Sequence, residues 1–273
     1  MLNHTYLDSQ LNELVTAPGW YVGFSGGVDS SVLLHLLYRW RAANPDSPTL
    51  RALHINHGLQ AAAGDWQRHC ESVCRSLQLQ LNTCAVDVHA DGSGEAAART
   101  ARYRAFQEQL PTGAVLFLGH HLDDQVETYF LRLLRGAGVE GLAAMPRRRT
   151  LGQGVLVRPL LDYERSEIEH YAAHHGLEFV EDPSNSSTLM DRNFLRAKLL
   201  PLLASRWPSY RQTVARASAH MAAAAKSLSD QLGVPETVHS VMGDPGLALS
   251  RLKAESGEVV AAHLRAWLRA RGY

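Results

Sequence analysis

Between residues 20 and 182, short apolar runs alternate with stretches whose apolar positions recur every three or four residues. Trp20 to Phe24 predicts a strand. The stretch Ser30 to Trp40, with Val32, Leu33, Leu36, Leu37 and Trp40 at helical spacing, predicts a helix with one core-facing stripe. The rhythm repeats, with strand-like runs at Leu50 to Ile55, Leu79 to Val88 and Ala114 to Leu118. Helical patterns fall at Asp65 to Leu77, at Glu95 to Leu110 and from about Leu122. Alternation of this kind predicts βαβ units and a doubly wound, mainly parallel α/β sheet. From Met190 onward strand signals stop and Ala-rich helical sequence such as Val214 to Leu228 takes over. Pro208 favours a helix boundary beside Trp207. The expected division is therefore an α/β catalytic domain over 1–207 and a smaller all-helical domain over 208–273. A last helix, Val259 to Arg271, halts almost at the end of the sequence, which leads us to expect a piece of something longer.

Open parallel sheets bind ligands beyond the carboxyl ends of their strands, so the loops after Phe24, Ile55, Val88 and Leu118 are the ones to read. The first runs Ser25-Gly26-Gly27-Val28-Asp29-Ser30 straight into the apolar helix. Two glycines let the backbone approach an anion, and the free N–H groups and positive end of the helix dipole would face it. Ser25 and Ser30 add hydroxyl donors, and Asp29 can hold a magnesium ion. A plain structural turn is the competing reading of those residues alone. The chain has three lysines, Lys198, Lys226 and Lys253, and none follows a glycine. A Walker-type loop is thus absent, which argues against γ-phosphoryl transfer by that route.

The loop after Leu118 begins Gly119-His120-His121-Leu122-Asp123-Asp124-Gln125-Val126-Glu127-Thr128. Asp123 with Glu127, and Asp124 with Glu127, are i, i+4 and i, i+3 pairs, so one helical turn gathers an acidic patch able to bind magnesium or accept an ammonium group. Capping of a helix N-terminus explains one carboxylate there, but poorly explains three beside two histidines. In the helix that opens at Glu95, Arg99 and Arg102 share a face. They can hold a phosphate, or Arg99 can form an ordinary surface ion pair with Glu95.

Composition narrows the class. A chain of 273 residues with 45% hydrophobic content has room for two domains. No run of about 18 apolar residues occurs, and Met1 to Gln10 has no basic-apolar leader pattern, so a cytoplasmic protein without membrane contact is expected. Cys70, Cys74 and Cys84 form no disulfide framework and no C-x2-C pair, and are expected to be free thiols. Formal charge is zero overall, yet residues 1–184 carry 15 Lys+Arg against 21 Asp+Glu, while 185–273 carry 12 against 6. That asymmetry fits a nucleotide-handling part followed by one that meets a polyanion, and fits solvated helix faces equally well.

Ser25 to Ser30 resembles the S-G-G-x-D-S signature of the PP-loop ATPase superfamily at every fixed position, which implies cleavage of ATP between its α and β phosphates. Gly119 to Thr128, with His54-Ile55-Asn56-His57-Gly58-Leu59, resembles the members that modify tRNA. Four further stretches resemble the lysidine synthases more than the 2-thiocytidine synthetases: Leu134 to Met145, Arg158-Pro159-Leu160-Leu161, Glu181-Asp182-Pro183-Ser184-Asn185, and Asp191-Arg192-Asn193-Phe194-Leu195-Arg196. The resemblance covers about residues 20 to 205. It implies adenylation of the wobble cytidine of a tRNA(Ile) with a CAU anticodon, followed by attack of free L-lysine at C2. ATP would be a substrate and Mg2+ its companion; a homodimer is allowed.

Carried over by position, Ser25, Gly26, Gly27, Val28, Asp29, Ser30 and His54 would bind ATP. Asp29, Arg99 and His120 would be catalytic, and Asp29 and Asp123 would hold magnesium. Asp124 and Glu127 would contact lysine, while Arg192, Asn193 and Arg196 would face tRNA or nucleotide. Lysine's amine must lose a proton to attack, and His120, at an ordinary imidazole pKa near 6.5, is expected to take it. The alternatives are thiolation through the same adenylate, which normally needs paired cysteines, and a nucleotide- or RNA-binding module without turnover. Lysidine synthases carry a further C-terminal region, so tRNA affinity of this stretch alone is expected to be weak.

Overall fold

The computed structural model describes residues 2–56, 63–86, 95–181, 190–232, 237–239, 242, 245–248 and 256–270. Its centre is a six-stranded sheet: β1 (Trp20–Gly23), β2 (Leu50–Asn56), β3 (Gln80–Ala85), β4 (Val115–Phe117), β5 (Arg148–Leu151) and β6 (Gly154–Val157), in the spatial order β3-β2-β1-β4-β6-β5. β1 pairs in parallel with β2 and β4, β2 with β3, and β4 with β6; only the edge hairpin β5–β6 is antiparallel. Strand order therefore reverses between β1 and β4, and the crevice beyond their carboxyl ends is where such a sheet receives a ligand.

The helices that follow the strands are α1 (Val28–Ala43), α2 (Ala63–Ser76), α3 (Glu95–Gln109), α4 (Leu122–Leu134) and α5 (Arg165–His174). Val32, Leu33, Leu36, Leu37 and Trp40, the stripe read from spacing, are all buried on the sheet. Trp20 packs at 5.3 Å from both Trp40 and Phe117, tying β1, α1 and β4 into one core. The indoles keep their polar atoms satisfied: Trp20 Nε1 donates to the Leu14 carbonyl at 3.1 Å and Trp40 Nε1 to Asp8 Oδ1 at 2.6 Å. Burying side chains of this size supplies about 2–3 kcal/mol each before entropy is counted. The opposite face of the sheet has its own core around Tyr21, Leu53, Phe106, Leu116 and Leu156.

The chain divides into two compact units, Met1–Leu131 with Met145–Ala215, and Arg132–Ala144 with Arg216–Tyr273. In the first, a helical turn Asp191–Phe194 passes through a π-turn, Leu195–Leu199, into α6 (Leu200–Arg206). Helix α7 spans Tyr210–Leu232. In the second, α8 (Gly257–Ala270) accompanies a short antiparallel pair, β7 (Thr237–His239) and β8 (Pro245–Leu247), with Trp267 Nε1 donating to Thr237 Oγ1 at 3.0 Å. These strands correct the expectation that strand structure ends before Met190. At three residues each they are too short to show a period. No helix among the described residues is long and apolar enough to cross a membrane.

Candidate active site

Two loops meet at the β1/β4 switch point. The first, Ser25 to Ser30, leaves β1 and becomes α1. Gly26 has φ +85°, a conformation glycine reaches without strain, and a Cβ there would stand 3.2 Å from Cys70 Sγ, His69 Cδ2 and Val180 Cγ2. Its carbonyl accepts from the Val180 N–H at 2.9 Å, so the turn is braced from below. The Ser25 N–H donates to Ser30 Oγ at 3.2 Å, and Ser30 Oγ donates to the Gly27 carbonyl at 3.0 Å. The second loop leaves β4 at Gly119, where a Cβ would come within 2.9 Å of the Asp29 carbonyl oxygen. Only a glycine allows the two loops this approach.

Asp29 thereby faces the start of α4. One of its oxygens, Oδ1, is buried without a hydrogen-bond partner, and His121 Nε2 is 3.7 Å away. Burial pushes the Asp29 carboxyl above its ordinary range, against the pull of His121 and Arg165. His121 itself is 1% exposed and lies 3.5 to 3.7 Å from oxygens of Asp29, Asp123 and Asp124. The Gly119 to Thr128 motif contains this histidine, but its sequence alone points to no role for it.

The carboxylates of α4 differ in their partners. Asp123 Oδ1 accepts from Arg211 Nε at 2.6 Å and Oδ2 from the Arg165 N–H at 2.9 Å. Burial opposes its charge, but these donors hold it below the usual carboxylate range. Both oxygens are thus engaged within the chain. Asp124 Oδ2 accepts from the His121 N–H at 3.1 Å, and Oδ1 has Arg196 at 4.0 Å. Glu127, fully buried, accepts two bonds from Arg196, Nε to Oε1 at 2.8 Å and Nη2 to Oε2 at 3.0 Å. Arg192 Nε stands 3.2 Å from Oε2, while its Nη2 donates to Thr128 Oγ1. Asn193 is buried alongside. Arg192 and Arg196, four apart along the same helical run, share a face and so address one carboxylate.

A third group lies across β4. Arg99 Nη2 donates to the Tyr103 hydroxyl at 3.3 Å, with its guanidinium 5.0 Å from the ring centre. Arg158, 2% exposed, donates to the same hydroxyl at 3.5 Å, to the Pro146 carbonyl at 2.6 Å, and through Nε to His120 Nδ1 at 3.2 Å. Burial and these cations drive the His120 pKa down to about 3. That corrects the expectation of an ordinary imidazole base. The local sequence shows two histidines, but not the arginines that the fold brings against them.

His54 lies 4% exposed beneath the first loop, with Nδ1–H donating to the Phe24 carbonyl at 2.9 Å; Cys70 Sγ lies 3.5 Å from the same nitrogen. Burial raises Cys70 to about 12 and Cys74 to about 11, making both thiols poor nucleophiles at neutral pH. His57 to Leu59, Gly94, the Glu95 side chain and Asp182 to Asn185 lie outside the described residues.

The model of the PP-loop domain matches residues 3–203. A tRNA(Ile)-lysidine synthase of Pseudomonas putida is 50% identical over 235 residues, covering 86% of this chain and 55% of that protein. One from Salmonella schwarzengrund is 48% identical over 246 residues, covering 90% and 57%. The chain spans a little over half the length of these curated relatives. Among solved structures, a U34-tRNA thiolase of Methanococcus maripaludis, bearing a [4Fe-4S] cluster, superposes with a TM-score of 0.66. It is 17% identical and covers 80% of this chain and 76% of its own, a likeness of fold.

Proposed function

The chain belongs to the PP-loop domain family, and from that premise we propose that it catalyses ATP-dependent attachment of L-lysine to C2 of the wobble cytidine of a tRNA(Ile) with a CAU anticodon, releasing AMP and pyrophosphate. The observation that carries the reading is the braced Ser25 to Ser30 turn at the β1/β4 switch point, opening onto an acidic first turn of α4.

The loop's backbone amides and the N-terminus of α1 would hold the β and γ phosphates, stabilising the charge that develops as the bond to the α phosphate breaks. The oxygen of the base at C2 attacks the α phosphate, and Arg99 supplies positive charge there. Lysine's amine then displaces AMP from C2. Asp124, engaged on one oxygen by a backbone N–H, is the carboxylate best placed to receive a lysine ammonium. Glu127, with both oxygens tied to Arg196, would instead keep Arg192 and Arg196 in position beside the substrate. The unpartnered Asp29 Oδ1 fits a magnesium ion carried by ATP, which asks for one or two carboxylates and phosphate oxygens and would neutralise phosphate charge. Asp123, with both oxygens taken, fits less well. The helical second unit would add contacts to tRNA, and the reaction would take place in the cytoplasm.

Thiolation by this chain is disfavoured by its cysteines, since Cys70 and Cys74 are buried thiols with raised pKa values. The deciding experiment incubates the protein with ATP, tRNA(Ile) bearing CAU, and radiolabelled lysine, with a sulfur donor in a parallel tube. Label on the tRNA together with stoichiometric pyrophosphate is expected. Pyrophosphate with sulfur incorporation and no lysine label would overturn the reading.

A further inference from the structure

Arg158 meets His120 through an edge that carries only donors. A guanidinium has five N–H groups and no lone pair to offer, so the imidazole nitrogen it faces at 3.2 Å must present its own lone pair. Arg158 is not free to turn: 2% exposed, it is pinned by the Pro146 carbonyl at 2.6 Å and the Tyr103 hydroxyl at 3.5 Å. We propose that Arg158 is a positioning residue that fixes His120 as the Nε2–H tautomer, so that His120 meets the substrate as a hydrogen-bond donor and not as a base.

The low pKa of about 3 agrees, because it keeps the ring neutral at working pH. A neutral ring with Nδ1 spent as an acceptor has its one proton on Nε2. The charged groups that act on the ring are one anion, Asp124, and three cations, Arg158, Arg99 and Arg102. This cationic majority suits an anionic oxygen as the acceptor. Tyr103 receives both Arg99 and Arg158, so His120, Arg158, Tyr103 and Arg99 form one hydrogen-bonded row. Resting on the adenylation reading, the acceptor is a non-bridging oxygen of the α phosphate. A preorganised neutral donor stabilises charge there without moving a proton in the step.

The test uses the whole chain labelled with 15N in its histidine rings, with His120 assigned by its loss in His120→Gln. Long-range proton–nitrogen correlation is expected to show Nδ1 unprotonated and Nε2 protonated from pH 5.5 to 8. An Nδ1–H tautomer, or an imidazolium in that range, would overturn the proposal. In Arg158→Met the second tautomer should appear; an unchanged ring spectrum in that variant would remove Arg158 from the role.

A second pair of variants does not depend on Arg158→Met folding. The side-chain amide of Gln falls near the imidazole Nε2 and that of Asn near Nδ1. His120→Gln should retain tRNA-dependent pyrophosphate release to within about tenfold, while His120→Asn loses about a hundredfold, the scale of one such donor. The reverse order would sink the idea. If the wild-type chain releases no pyrophosphate, the adenylation reading fails, while the ring spectrum still decides the tautomer.

Discussion

Arg196 grips Glu127 with two nitrogens, at 2.8 and 3.0 Å, and Glu127 is wholly buried. Burial pushes that carboxyl up and the guanidinium pulls it back, so the two side chains depend on each other. Removing one partner of such a pair strands the other, at a typical cost of about 3–5 kcal/mol. Because Arg192 stays 3.2 Å from Glu127, the expected loss for Arg196→Met is nearer about 2 kcal/mol. Urea unfolding measures it. The double variant Arg196→Met with Glu127→Gln should recover part of the loss, and strict additivity of the two changes would show that no pair exists.

Asp124 Oδ2 accepts one backbone N–H and has His121 Nε2 at 3.5 Å, while Oδ1 has Arg196 at 4.0 Å, beyond hydrogen-bond reach, which leaves that oxygen for a substrate cation. Asp124→Asn preserves the acceptor and removes the charge. The KM for lysine should rise about ten- to a hundredfold, while tRNA-dependent pyrophosphate release in the absence of lysine changes less than about threefold, since an ionic hydrogen bond contributes about 1.5–3 kcal/mol. Equal loss in both assays would take Asp124 out of the lysine pocket.

Gly26→Ala places a Cβ against three side chains at 3.2 Å and demands a left-handed backbone of φ +85°. The strain is about 1–2 kcal/mol, and the loop relieves it by shifting the amides that would meet phosphate. ATP affinity, measured by calorimetry, should fall at least about tenfold while most of the folding stability remains. Unaltered affinity would show that the turn does not touch the nucleotide.

The alternation of apolar runs and helical stripes made β1, β2 and β4 legible, because strands buried on both faces read as continuous apolar runs, and placed the half-exposed edge strand β3 by its position in that rhythm. The edge strand β5 was not, since Arg148, Arg149 and Thr150 are exposed and carry no apolar signal, and β6 is apolar but only four residues long. At the site, the residues that announced themselves are consecutive ones, Ser25 to Ser30 and His120 to Glu127. Arg158, Arg165 and Arg211, which set the state of His120 and Asp123, come from distant segments; Arg158 opens a stretch that carries the family resemblance, but nothing beside it in sequence says that it meets His120. The tautomer and the basicity of His120 are properties of that assembly rather than of the motif.

His35 gives a pH test of the fold away from the site. Its Nδ1 lies 2.9 Å from the Tyr171 hydroxyl, joining α1 to α5, with the His175 ring tilted against it at 5.0 Å between centroids. Burial, with the neighbouring His175 and Arg39, lowers its pKa from 6.5 to about 4. The unfolded chain therefore binds a proton at His35 between those values where the folded chain does not, so stability falls as pH drops from about 6.5 to 4 and is level above. His54 and His120, also held low, add to the same slope. His35→Gln removes one titrating group. Its stability should be below that of the wild type at pH 7.5, with the difference narrowing by pH 5, as the wild type alone loses the His35 share. Urea midpoints at the two pH values measure this, and parallel loss in both proteins would show that His35 is protonated freely in the folded state.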